Sequence, residues 1–194
     1  MIVAMALALE KITESEYADL EAKAEYRSEY YNGEVFAMAG GTSRHARIGG
    51  LMLHSISSSV DLRRCSVMGP DMRIRVAATR LQTYPDVSVV CGDIAHTRGR
   101  EDCIENPIII VEVLSEGTES YDRGFKFDNY KRIPSLREYV LVSQNRPRIE
   151  VLRRSKTGRW AATVAEGLDA GIALESVGAT ISLADVYIGI DFAQ

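Results

Sequence analysis

The sequence predicts a mixed α/β domain in which helices flank a central mixed sheet. Three features of its 194 residues support this prediction: an Asn-Gly hairpin signal near the start, short apolar runs typical of strands, and stretches with helical spacing between them. No internal repeat or linker breaks this order. We therefore expect an N-terminal tail over residues 1–12 and a single domain over residues 13–190.

The first elements are a short helix and a hairpin. Thr13 followed three residues later by Glu16 is a capping box, which predicts a helix from about Glu14 to Ala22. Asn32-Gly33 lies between two strand-like runs and predicts a β-hairpin.

The middle of the chain is predicted to hold a long helix and several strands. Ser43 is expected to cap the helix, which reaches to about Leu62 because apolar and small side chains recur at helical spacing. A strand interrupted at Gly69-Pro70 is expected over residues 67–76. A polar loop is expected over residues 91–106.

The last third of the chain is predicted to hold one helix and further strands. Thr118 caps a helix to about Ile133, and Pro134 ends it. The strands expected beyond it span residues 138–143, 148–153, 160–165 and 172–174.

Two apolar strands in the middle of the chain carry one carboxylate each. Asp86 lies in the run Tyr84–Val90 and Glu112 in the run Pro107–Leu114. A buried carboxylate costs several kcal/mol unless a cation or hydrogen bonds compensate, and two neighbouring carboxylates repel each other. A divalent cation removes both problems, and oxygen ligands suit Mg²⁺. The pattern therefore predicts a shared Mg²⁺ or Mn²⁺ site, the kind that phosphodiester hydrolysis requires; ordinary buried hydrogen bonds are the alternative.

The helix after the Glu112 strand carries a polar stripe. Asp122, Lys126 and Tyr130 are four residues apart and share one helix face. Since the helix begins just after that strand, Lys126 can reach back to a phosphate held at its carboxyl end. The alternative is a surface Asp–Lys pair with a tyrosine packed beside it.

Glu34 follows the hairpin turn, and His45 lies in the first turn of the long helix. Near the same glycine-rich bend they can supply an additional acid and a base or phosphate ligand. A solvated hairpin residue and a locally hydrogen-bonded histidine are the alternatives.

Composition limits the partners and the compartment. A net charge of −4 argues against a surface coated in positive potential, although local contacts to DNA remain compatible with it. No apolar run approaches the roughly 20 residues of a membrane span. The cysteines Cys65, Cys91 and Cys103 lack metal-binding spacing, so we expect free thiols in a reducing cytoplasm.

The strand around Asp86, the strand around Glu112 and the Lys126 helix together resemble the Uma-type family of restriction endonucleases. The Glu34 hairpin with His45, and the stretch Gly69–Ile74 that includes Asp71, match the same family. The resemblance spans roughly Thr13 to Asp185.

The resemblance implies a restriction-endonuclease-like core of the PD-(D/E)xK superfamily and divalent-metal-dependent cleavage of DNA. The residues expected to act in catalysis are Asp86, Glu112, Lys126 and Glu34. The expected metal ligands are Asp86, Glu112 and the Val113 carbonyl. The residues expected to contact the substrate are His45, Asp71 and Tyr130.

The chain departs from the superfamily pattern at Leu114, where Glu-x-Lys would place a lysine two residues after Glu112. The resemblance moves that lysine to Lys126. A non-catalytic interaction module with the nuclease fold and a structural homodimer therefore stay open beside the enzyme. We expect a homodimer for the enzyme as well, because a protein that cuts both strands usually presents two active sites.

Overall fold

The predicted mixed α/β class is confirmed by the computed structural model, which describes residues 11–38 and 40–192. The strands are β1 (Ser28–Tyr31), β2 (Glu34–Ala37), β3 (Cys65–Met68), β4 (Arg73–Val76), β5 (Leu81–Thr83), β6 (Val87–Cys91), β7 (His96–Thr97), β8 (Arg100–Ile104), β9 (Ile109–Leu114), β10 (Glu138–Ser143), β11 (Arg148–Arg154), β12 (Trp160–Glu166), β13 (Gly171–Leu174) and β14 (Ala179–Ser182). The helical segments are α1 (Glu14–Glu21), α2 (Ser43–Ser59), α3 (Glu119–Tyr121), a π-helical turn (Asp122–Lys126), α4 (Phe127–Tyr130) and α5 (Leu183–Val186).

The strands divide between two six-stranded sheets and a two-stranded ribbon of β13 and β14. The central sheet has the order β12–β11–β10–β9–β6–β3, and the outer sheet has the order β2–β1–β5–β4–β8–β7. β9 runs parallel to β10, and β4 runs parallel to β8, whereas the other neighbours in these two sheets are antiparallel. The central mixed sheet expected from the sequence is thus present, and a second six-stranded sheet and the ribbon accompany it.

The N-terminal predictions are confirmed. The Thr13 hydroxyl accepts a hydrogen bond from the Glu16 N–H at 3.2 Å, and the Thr13 N–H donates to the Glu16 carboxylate at 2.7 Å. Asn32 and Gly33 both have positive φ, at 49° and 98°, as a tight two-residue hairpin turn requires. The tail predicted over residues 1–12 lies outside the described residues up to position 10, and Ile12 donates to the Gly33 carbonyl at 3.0 Å.

Several boundaries differ from the prediction. Thr42 rather than Ser43 caps α2, because its hydroxyl accepts from the His45 N–H at 3.2 Å. The strand expected over residues 67–76 splits into β3 and β4, which lie in different sheets. The loop expected over residues 91–106 contains β7 and β8, since pairing of β8 with β4 supports a polar sequence that shows little strand character by itself.

The prediction of free thiols is wrong for two of the three cysteines. Cys65 and Cys91 are direct partners in the antiparallel β3–β6 pair and form a disulfide. Cys103 is a free, buried thiol. The pairing depends on strand register, which cysteine spacing in the sequence does not reveal.

The two faces of the central sheet are covered by different helices. Val111 and Val113 of β9 pack with α2, whereas Ile110 and Leu114 pack in the cluster that contains Tyr130. Because side chains alternate along a strand, Glu112 shares the face of Ile110 and Leu114. The fold therefore points Glu112 toward the helical segment that carries Lys126.

Across the described residues, none of the helices combines the length and the apolar character needed to span a bilayer.

Candidate active site

Asp86 and Glu112 lie next to each other along the backbone of the antiparallel β6–β9 pair. Val87 of β6 is the register partner of Val111 of β9, so continuing the register by one residue places Asp86 opposite Glu112. Asp86 itself precedes β6, and its side chain contacts His45 of α2 and the Val113 N–H. The approach of the two carboxylates to one shared cation stays a prediction.

Lys126 is buried among three carboxylates. Its ammonium lies 3.1 Å from Glu112 Oε1, 3.4 Å from Asp122 Oδ1 and 3.5 Å from Glu29 Oε1. All four residues are less than 10% exposed. The predicted direction of Lys126 toward Glu112 is confirmed, and the alternative of a surface Asp–Lys pair is wrong.

A π-helical turn positions Asp122 and Lys126. A stripe at every fourth residue of an α-helix drifts by about 40° at each step. The wider π turn takes up part of this drift, so Asp122, Lys126 and Tyr130 all stay directed at the sheet. π turns of this kind occur frequently at functional sites.

Tyr130 fixes the orientation of Glu112. Its hydroxyl donates to Glu112 Oε1 at 2.9 Å, and Lys126 donates to the same oxygen. Tyr130 is fully buried, so the structure gives it a positioning contact where the sequence predicted a substrate contact. Within the described part of the chain, Glu112 Oε2 accepts no hydrogen bond. It is also not one of the fully buried polar atoms that lack a partner, so it keeps some contact with solvent.

Three buried acids around one ammonium leave an excess of negative charge. Burial raises the pKa of Glu112 well above its ordinary value, although Lys126 opposes the shift. Burial likewise raises the pKa of Asp122. Burial alone would lower the pKa of Lys126, but the acids around it outweigh burial and raise that pKa. The cluster therefore favours an additional proton or cation.

Asp86 lies beside this cluster and is held by two donors. His45 Nε2 lies 2.7 Å from Asp86 Oδ1, and the Val113 backbone N–H donates to Asp86 Oδ2 at 2.6 Å. The hydrogen bond to Asp86 raises the pKa of the His45 imidazole. His45 reaches Asp86 because the Thr42 cap starts α2 at this end of the sheet.

Glu34 and Asp71 are not brought to the cluster. Glu34 is exposed on β2, the edge strand of the outer sheet, and lies 3.6 Å from Lys11. Asp71 is exposed between β3 and β4, where it pairs with Arg27.

The acidic position that the sequence analysis assigned to Glu34 is held instead by Glu29. Glu29 lies on β1, between β2 and β5 in the outer sheet, and its side chain is buried. Its carboxylate accepts from the Tyr121 hydroxyl at 2.7 Å and from the Thr83 hydroxyl. One signal was available in the sequence, because Glu29 is the only carboxylate in the strand Ser28–Tyr31.

The donor set fits a cation that keeps part of its water shell. Nowhere in residues 11–38 and 40–192 do three or more His, Cys, Asp or Glu side chains form a group that could hold a metal ion. Asp86 and Glu112 offer two carboxylates, and Mg²⁺ is usually held by one or two carboxylates with water and phosphate as further ligands. The open Glu112 Oε2 is the atom best suited to such a role. The Val113 carbonyl as a third ligand stays a prediction.

Comparison with known proteins identifies the family of the chain. The family described as "Uma2: Putative restriction endonuclease" matches residues 14–184. Two uncharacterized proteins of Synechocystis are similar to the chain. The first, slr1290, is 32% identical and aligns over 94% of both chains. The second, sll1609, is 31% identical over 87% of this chain and 96% of its own.

A solved structure shows the same fold. A crystal structure from Anabaena variabilis, described as a putative nuclease belonging to DUF820, matches with a TM-score of 0.73. The match covers 91% of this chain and 97% of that one at 20% sequence identity. Together with the match over residues 14–184, these findings show that the chain belongs to the Uma2 family of restriction-endonuclease-like proteins.

Proposed function

We propose that this protein hydrolyses DNA phosphodiester bonds with a divalent cation, Mg²⁺ or Mn²⁺, held by Asp86 and Glu112. One observation carries the proposal: three buried carboxylates surround one ammonium, and Glu112 Oε2 stays open beside them. A divalent cation neutralises this excess charge. The family's description as a restriction endonuclease supports the same reaction class.

Each residue of the site has a separate role in this proposal. A bound cation would polarise the phosphate and lower the pKa of a water molecule. Lys126 orients that water or stabilises the charge that develops on the phosphate. Tyr130 holds Glu112 in place, and Glu29 and Asp122 hold the Lys126 ammonium.

His45 adds a proton-transfer group next to Asp86. Its Nε2 is 2.7 Å from the Asp86 carboxylate, so it can take up or release a proton at the edge of the site.

The absence of lysine at position 114 is compatible with catalysis. Leu114 is buried on the Glu112 face of β9, in the apolar cluster that contains Tyr130. Lys126 supplies a cation to Glu112 from the helical segment instead, at 3.1 Å.

Plasmid cleavage in the presence of Mg²⁺, Mn²⁺ or a chelator tests the proposal. Wild-type protein should convert supercoiled plasmid only with metal, and Lys126→Ala should abolish this conversion while metal binding is largely kept. Lys131→Ala is the matched control, because Lys131 lies on the same segment but pairs with Asp128 at the surface. Circular dichroism checks that each variant is folded.

The alternative outcomes are distinct. Saturable metal binding without cleavage would leave a non-catalytic module of the nuclease fold. Neither binding nor cleavage would contradict the proposal entirely. We further propose a homodimer, and sedimentation of the wild-type protein measures it.

A further inference from the structure

Aromatic side chains of the hairpin lie on the same face as Glu29. Phe36 of β2 is the direct register partner of Glu29, and Tyr31 follows Glu29 by two residues. Directly opposite residues, and residues two apart, share one face of a strand pair. Phe36 is nevertheless 47% exposed, so a large apolar ring stays accessible on this face.

The helical segment contributes two more rings to this place. Tyr121 and Phe125 stack with ring centroids 5.1 Å apart, and Phe125 meets Tyr31 edge to face at 4.9 Å. The Tyr121 hydroxyl donates to Glu29 Oε2 at 2.7 Å. Tyr31, Tyr121 and Phe125 are each partly exposed. We call these three rings and Phe36 the aromatic rim.

The aromatic rim is continuous with the candidate active site. Glu29 contacts Lys126 through one carboxylate oxygen and Tyr121 through the other. A nucleotide whose phosphate lies at Lys126 therefore meets aromatic rings on the side of Glu29. In a duplex the bases are stacked on one another and their ring faces are covered, whereas an unpaired base can stack on an aromatic side chain.

We propose that the aromatic rim stacks on a base of an unpaired nucleic-acid strand, so that single-stranded or locally unpaired DNA is the preferred substrate. This inference rests on the proposed function and names its substrate class. Phe36 offers the most exposed ring and is the specificity-determining position. Phe125 packs against both Tyr31 and Tyr121, so these three rings support one another.

The hairpin provides a matched pair of test positions. Val35 and Phe36 are neighbours on β2 with almost equal exposure, 45% and 47%, but they face opposite sides of the strand. Phe36→Ala removes the ring, Phe36→Leu keeps an apolar cover without a stacking face, and Phe36→Trp keeps stacking. Val35→Ala removes a similarly exposed apolar group on the other face.

Binding is measured by fluorescence anisotropy with a labelled single strand and a duplex of the same sequence, in Ca²⁺ and in chelator. We expect wild type to prefer the single strand. Phe36→Ala and Phe36→Leu should weaken single-strand binding by about tenfold, whereas Phe36→Trp and Val35→Ala should not. A 2-aminopurine base in the strand should be quenched by wild type and not by Phe36→Ala. Melting curves confirm that the variants are folded.

Three results would overturn the inference. These are equal binding of strand and duplex, equal losses in Phe36→Ala and Val35→Ala, and a change of sedimentation in both variants, which would make β2 a contact between copies. The inference and the proposed function fail separately. Metal-dependent cleavage that is unchanged by the Phe36 substitutions would support the proposed function and contradict the role of the aromatic rim. Single-strand binding that depends on the Phe36 ring, without any cleavage, would support the aromatic rim and contradict the proposed function.

Discussion

Replacing Glu112 with Gln tests directly whether this carboxylate is a metal ligand. Gln keeps the volume and an oxygen that can accept from Lys126 and Tyr130, but it removes one of three negative charges around one ammonium. Burial raises the pKa of Glu112 because it acts against the ionised form. We therefore expect the metal-free variant to melt at the wild-type temperature or above it.

The metal response should differ sharply between the two proteins. A cation at about a hundredfold excess over its Kd adds about 2.7 kcal/mol to the free energy of unfolding. For a chain of this length, that corresponds to a rise in Tm of roughly 5 to 11 °C. Thermal unfolding followed by circular dichroism at neutral pH, across millimolar Mg²⁺ or Mn²⁺, should show this rise in wild type and none in Glu112→Gln.

Glu138→Gln is the control for loss of a buried strand carboxylate. Glu138 is fully buried on β10, next to β9, and accepts from Arg153 Nε at 2.9 Å and from the N–H groups of Glu175 and Ser176 at 3.0 and 3.1 Å. Its replacement should cost about 1–3 kcal/mol and leave the metal response intact. A flat wild-type Tm in metal, with Glu112→Gln destabilised as much as Glu138→Gln, would refute the metal-ligand assignment.

Three further predictions concern stability. Lys126→Ala should lower the free energy of unfolding in urea by about 3–5 kcal/mol, because it leaves buried carboxylates without their cation; a loss within about 0.5 kcal/mol would contradict the buried cluster. The pKa of Glu14 is lowered, mainly by the hydrogen bond from Arg75, so its ionised form contributes stability above pH 4.5 that is lost as the pH falls through the lowered folded-state pKa. Glu14→Gln should therefore be destabilising at neutral pH and nearly neutral in strong acid, as acid titrations of both proteins would show. Reduction of the Cys65–Cys91 disulfide, which links residues 26 apart, should cost about 3.5 kcal/mol, and Cys91→Ser should abolish the effect of reductant on Tm.

Local signals in the sequence were enough to predict the elements that depend only on contacts between neighbouring residues. The capping box at Thr13 and the Asn32-Gly33 turn depend on hydrogen bonds and φ angles within four residues, and both are present as predicted. The apolar strands around Asp86 and Glu112 are also present, because a run of buried side chains marks a strand in the interior of a sheet.

Long-range pairing was beyond the reach of local signals. The polar strand β8 is stabilised by β4, and the Cys65–Cys91 bond follows from the β3–β6 register. In both cases, the two partners are far apart in the sequence. A short polar segment thus becomes a strand only when another strand supplies its hydrogen bonds.

For the candidate site, the sequence by itself determined the strand carboxylates Asp86 and Glu112 and the helix face of Lys126. Helical spacing and apolar runs can be recognised within a single helix or strand, without knowledge of what that element packs against. Only the tertiary structure replaced Glu34 with Glu29, since the choice depends on which strand of the hairpin lies at the sheet edge. The same packing decided that Lys126 is a buried cation among three acids, because the helical segment and the two sheets bring these charges together from three separate parts of the chain.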